Sequence, residues 1–171
     1  MSGETWSELQ KCRAALEINN LRRLLSSQVD CGDAVINLRP HFTQMQTALE
    51  TRSAAAFFRA DIRFHLKLAY RSLPCFQALK SLLLFIRVAA QRMSNERSMR
   101  ELLDDHQQLF ELISKASNAN CSESERQATA AEAEKFLKHH IKHSTDLFVS
   151  TANGEEGSIS DVRLGNFQEN P

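Results

Sequence analysis

The chain has 171 residues, long enough for one domain with a substantial hydrophobic core. Lysine plus arginine equals aspartate plus glutamate at 21 each, so no global field draws in nucleic acid or anionic membrane. Cys12, Cys31, Cys75 and Cys121 are far apart with no CxxC pair, which signals neither a zinc finger nor a disulfide framework. They read as reduced, mostly buried thiols. No signal-peptide pattern and no membrane-length apolar run is present, and the expected location is the cytoplasm.

Five glycines and three prolines leave few breaks, and strand-like alternation is absent, so the expected class is all-α, an antiparallel bundle of six to seven helices. The first helix is expected over about Thr5 to Ser26, with Thr5 and Glu8 spaced as a capping box and "VDCGD" as the break. A second segment, about Asp33 to Glu50, must bend or restart at Pro40, which has no N–H for the helix ladder. A third runs from about Ser53 to Arg71 and ends at "SLP". The fourth, about Cys75 to Met93, contains "ALKSLLLFIRVAA", the most apolar stretch, and is expected to lie centrally. A fifth starts after Ser94, weakly capped with Arg97, and reaches Lys115. "ASNANCSES" is a polar loop, and a sixth helix covers about Ser124 to Thr151. The domain is thus expected over residues 5–151, with 152–171 as a polar, partly disordered tail.

Several polar residues fall on the wrong face of these helices. At ~100° per residue, Asp61 and His65 share a face with Phe57, Phe58, Leu68 and Ala69, while Arg59, Arg63 and Lys67 lie opposite. His106 is centred among Leu102, Leu103, Leu109, Phe110 and Ile113. His140 is centred among Ala133, Phe136, Leu137, Ser144 and Leu147, with His143 at the edge of that face and His139 beyond it. Taken singly, each inward histidine reads as a hydrogen-bonded core residue, and Asp61–His65 as an ion pair. Together, one carboxylate and three imidazoles aimed inward from three helices form a ligand set suited to a divalent cation in a bundle core, zinc, nickel, manganese or iron. A charged carboxylate in that setting needs such a partner.

On the first helix, Arg13, Glu17 and Asn20 align with Trp6, Leu9, Leu16 and Leu24. Arg13 and Glu17 read as an internal ion pair, or Arg13 as a guanidinium fork for a ligand carboxylate. No further inward carboxylate is placed as a general base near the four candidate ligands, which argues against a metal-dependent enzyme. A purely structural bundle is the other alternative.

These segments resemble a known family. "CRAALE" is similar to an R-x-x-L-E opening, "ADIRFHLKLA" to a D-x-x-F-H-x-x-L-A signature, "DDHQQLFELI" to (E/D)-H-x-x-(L/I)-x-x-x-I, and "FLKHHIKH" to a closing H-(L/I) helix. In this order, over about residues 6 to 150, they resemble the FCD domain, the C-terminal effector-binding domain of FadR-type GntR transcription regulators. The resemblance implies an all-helical, dimeric domain that binds a metal, zinc foremost, through one aspartate and three histidines. It also implies a small carboxylate or hydroxy-acid effector. Carried onto this chain, the metal ligands would be Asp61, His65, His106 and His140, with His139 or His143 as substitutes for the last. From its place on the apolar face of the first helix, Arg13 is the expected ligand-binding residue.

The sequence departs from the pattern in three places. The family's usual Ser-x-Asn after the D-x-x-F-H helix reads Ser72, Leu73, Pro74 here, and the spacing from His106 to His140 is longer than usual. Nothing before residue 5 resembles the winged helix-turn-helix that ordinarily precedes the domain, so DNA contact is expected only through such a domain absent from this chain.

Overall fold

The computed structural model describes residues 3–69, 72–93, 95–118 and 120–155. Among these the chain forms six helices and no strand: α1 (Gly3–Leu25), α2 (Gln28–Glu50), α3 (Ala54–Leu68), α4 (Leu73–Met93), α5 (Glu96–Ala116) and α6 (Glu123–Glu155). The all-α bundle expected from the sequence is the fold observed. Ser94, Tyr70, Arg71 and residues 156–171, which include most of the expected tail, lie outside the described residues.

Three boundaries differ from expectation, each for a local reason. "VDCGD" is not a break but lies within α2. The chain turns earlier, where the Ser27 side chain accepts the Asp30 N–H and caps the helix. Cys31 and Ala34 then point into the core and hold that first turn. Pro40 does not restart α2, which runs through it. The carbonyl that would have received its N–H is that of Ile36, a residue 72% exposed, so water can serve it. Thr5 is not a cap, because α1 begins at Gly3 and Glu8 is bound to Lys11 at 2.6 Å.

The caps that do form are elsewhere. Asn95 and Ser98 make a reciprocal capping box on α5. Ser122 and Glu125 do the same at the start of α6, the serine hydroxyl accepting the Glu125 N–H and the carboxylate accepting the Ser122 N–H. The α2–α3 turn closes with Ser53 N–H donating to Ala48 C=O and Arg52 N–H to Leu49 C=O. This puts Arg52 at φ 53°, a left-handed position that glycine usually fills.

α2 packs on α3 and α5, α5 on α6, and α6 on α1, so these helices enclose one core with α4 laid against α3 and α1. Phe57, Phe64, Leu21, Leu38, Met45, Leu109, Ile113 and Leu137 are almost fully buried there. The apolar α4 does not lie centrally. It buries a stripe of Leu79, Leu83 and Ile86 but leaves Leu73, Leu84 and Phe85 exposed, because only one side of the helix meets neighbours. The cysteines are free, but only Cys31 is buried, and burial pushes its thiol up to about 11. Among the described residues, no helix is long and apolar enough to cross a membrane.

Candidate metal centre

Four helices meet at a layer of polar side chains inside this core. α3 brings Asp61 and His65, one turn apart; α5 brings His106, α6 brings His140, and α1 brings Arg13 and Glu17. His65, His106 and His140 are almost completely buried, while the Asp61 side chain keeps 16% exposure. One ligand atom from each of Asp61, His65, His106 and His140 lies within 4.8 Å of all the others, and the group can hold a metal ion.

The imidazole orientations are informative. His65 Nε2 is 3.1 Å from His106 Nε2 and 3.3 Å from His140 Nε2, and Asp61 Oδ1 is 3.0 Å from His106 Nε2. The other nitrogen of each ring faces a group that only accepts. His65 Nδ1 meets Glu17 Oε2 at 2.6 Å, His106 Nδ1 meets the Leu102 carbonyl at 2.6 Å, and His140 Nδ1 meets Asp105 Oδ2 at 3.2 Å. These contacts assign the hydrogen to Nδ1 in each ring. A neutral ring of that tautomer presents Nε2 as a bare lone pair, and three lone pairs then converge. Two nitrogens about 2.1 Å from a common ion stand roughly 2.9–3.4 Å apart, depending on coordination angle. The nitrogen separations measured from His65 fall inside that range.

The electrostatics differ from group to group. Burial drives His140 down to about 3, outweighing the hydrogen bond from its ring to Asp105, so at neutral pH it carries a free Nε2 lone pair. Burial would raise Asp61, but the His106 and His65 rings beside it hold it well below the ordinary carboxylate range. Glu17 is likewise brought to about 2 against its burial, by the charges of Arg13 and His65 and their hydrogen bonds. For His65, burial is overcome chiefly by the charge of Glu17, and the ring is raised. Both carboxylates are therefore anionic.

Each inward histidine is also held from behind, as metal-ligating imidazoles commonly are. Glu17 accepts from His65 and, through its other oxygen, from Arg13 Nε at 2.7 Å. Asp105 accepts from both His140 and His143, the latter at 2.8 Å, which also accounts for His143. His139 is exposed and stacks near Phe136 and His143. Of the three neighbouring histidines on α6, the structure brings His140 to the cluster. Two further inward carboxylates, Glu17 and Asp105, lie near the four candidate ligands, both engaged by ring N–H groups rather than placed as a general base. Asp105 stands at the margin of the α5 apolar face, about 100° from His106, so helical phase alone assigns it to solvent. Its place directly before His106 in the (E/D)-H pair is the signal that marks it.

Arg13 reaches the cluster itself. Its Nη2 donates to His65 Nε2 at 3.0 Å, on the atom that faces the other ligands, while its side chain is 4% exposed. Arg13 thus pairs with Glu17 and also projects into the site.

A family model for the FCD domain matches residues 8–143. The chain belongs to the FCD family. FCD domains are the regulatory, effector-binding domains of GntR-family transcription regulators, bind small molecules and typically function as oligomers. No curated protein and no solved structure matches the chain. In this FCD domain the family match takes in every residue of the polar layer, from Arg13 to His143.

Proposed function

We propose that this FCD domain is a metal-dependent sensor of a small organic acid, with one divalent ion, zinc foremost, held by Asp61, His65, His106 and His140. The observation that carries the reading is the convergence of three Nε2 lone pairs, each fixed by an acceptor behind its ring. Without a cation or a trapped proton that arrangement is repulsive in a low-dielectric core. When bound, the metal supplies a Lewis-acidic anchor for a carboxylate or hydroxy-acid oxygen. With His65 Nε2 committed to a bound metal, Arg13 Nη2 would be free to pair with the effector's carboxylate, while Nε stays on Glu17.

In this reading the sensing domain is residues 5–151 with 152–171 as an appended tail, the protein is a cytoplasmic homodimer, and DNA contact is made through a separate helix-turn-helix domain. Effector binding shifts the packing of α1 against α3 and α6, because Arg13 has different partners in the two states. A ligand with such differential contacts moves the equilibrium between them. Catalysis has less support, because Glu17 and Asp105 already accept hydrogen bonds and neither is left as a base.

Arg13→Lys separates the ligand role from the Glu17 role. Lysine cannot bond Glu17 and an effector together in fork geometry. Calorimetry on metal-loaded protein with hydroxy and keto acids should show at least a tenfold loss of affinity, with metal content kept. Unchanged affinity beside a lowered melting temperature would assign Arg13 to Glu17 alone and remove it from the effector site.

A further inference from the structure

Away from the core, the outer side of α3 departs from the rest of the surface. The outward faces of α1, α5 and α6 mix signs: Lys11 pairs with Glu8, Arg97 with Glu101, Arg100 with Glu96 and Lys138 with Glu134. α3 has no acid to spare for such pairing. Its one carboxylate, Asp61, is turned to the metal layer, while Arg59, Arg63 and Lys67 follow one another at i, i+4 and i+8 on the other side. Arg59 and Arg63 are exposed, and among the described residues neither meets a carboxylate or any hydrogen-bond partner. Like charges stacked one turn apart oppose helix formation, so the pair gains from an anion that the chain itself does not supply.

The two guanidiniums line a cleft of about 360 Å³ whose opposite wall is α2. That wall supplies Thr43 and Thr47, also one turn apart, whose hydroxyls have no partner among the described residues. The floor is Ala48, Ala56 and Ala60, side chains too short to fill the space between the helices. Below it Met45, Phe57 and Phe64 are buried, and the Ser53 N–H bond to the Ala48 carbonyl closes one end, so both walls stand on fixed core.

We infer that this cleft binds a small phosphomonoester. Arg59 and Arg63 present two planar forks of N–H donors, the geometry that suits phosphate oxygens. A phosphomonoester brings nearly two negative charges at neutral pH and three acceptor oxygens, enough to engage both forks and a threonine hydroxyl together. A monocarboxylate would leave one guanidinium unmet. The alanine floor receives the carbon portion of the ester. The cleft opens on the side of α3 away from Asp61 and His65, so it is separate from the metal centre and does not depend on it.

The test is calorimetry on the metal-loaded full chain with glycerol 3-phosphate, against inorganic phosphate, succinate and glycerol. Glycerol 3-phosphate should bind with sub-millimolar affinity, more tightly than inorganic phosphate and at least tenfold more tightly than succinate. Arg59→Gln together with Arg63→Gln should weaken it tenfold or more, with metal content kept and the melting temperature unchanged or raised. Lysine at both positions keeps the charge without the fork and should restore only part of the affinity. Arg13→Lys should bind glycerol 3-phosphate as the wild type does. Binding that survives the double glutamine variant, or that is lost in Arg13→Lys, would place the phosphate on the core site and overturn the cleft. Full affinity in the double lysine variant would reduce the effect to diffuse charge and overturn the clamp. A wild type that binds succinate or inorganic phosphate as well as the ester, or that binds none of these ligands, would overturn the proposed ligand class.

Discussion

The core has two layers that obey different rules. Around Phe57, Leu38, Met45 and Leu21 it is held by shape, with apolar side chains almost fully enclosed by others. A turn or two away, Arg13, Glu17, His65, His106, Asp105 and His140 are equally hidden, but each is fixed by a named partner atom. In the first layer volume decides, and a chemically similar residue of the same size is tolerated. In the second, identity decides, because a lost partner leaves a buried charge or donor unmet. An all-apolar replacement of the whole polar layer would favour stability, so its retention points to a function that stability alone does not require.

Substitutions should separate the layers. Phe57→Ala, in the apolar layer, should cost about 3–5 kcal/mol in urea unfolding, while the folded fraction keeps its full metal stoichiometry. Loss of metal from correctly folded Phe57→Ala protein would show that the two layers are not independent. Glu17→Gln should cost about 3 kcal/mol, since it leaves the Arg13 charge without its counterion. It should also weaken metal binding by roughly 10–100-fold, because the amide cannot replace the carboxylate behind His65. A stability loss with unchanged metal affinity would confine Glu17 to a structural role.

Acid should act chiefly on the polar layer. In the folded chain His140 titrates near 3 against its ordinary 6.5, so between those values the unfolded state takes up a proton that the folded state refuses. The metal-free protein should therefore lose stability as pH falls from 6.5 to 4.5, on the order of 2 kcal/mol. His65 is raised, so its contribution is complete below 6.5 and is lost only as pH rises through its folded value; it does not oppose the trend in this window. Urea midpoints at the two pH values, with chelator present, measure the slope. The slope should flatten in His140→Gln, and an equal slope in that variant would place the effect elsewhere.

How much of this was legible in sequence also divides by layer. Helical phase put Asp61, His65, His106 and His140 on buried faces because each sits near the middle of an apolar stripe, and the structure brings those four together. It did not find Asp105, which stands at a stripe's edge. The α2 boundaries escaped for a related reason. Glycine and proline signal breaks through local preference, but buried Cys31 and Ala34 and an exposed turn at Ile36 make a continuous helix acceptable. The central position expected of α4 failed because apolar content measures what a helix can bury, not what neighbours it meets.

The central claim is that the convergent nitrogens hold a metal. Elemental analysis of protein purified without chelator or nickel resin tests it most directly, beside the double variant His65→Ala with His106→Ala. The wild type should carry one divalent ion per chain, and the double variant should carry none and gain no thermal stability from added metal. A wild type that takes up no divalent ion on titration, or a double variant that retains stoichiometric metal, would contradict the account.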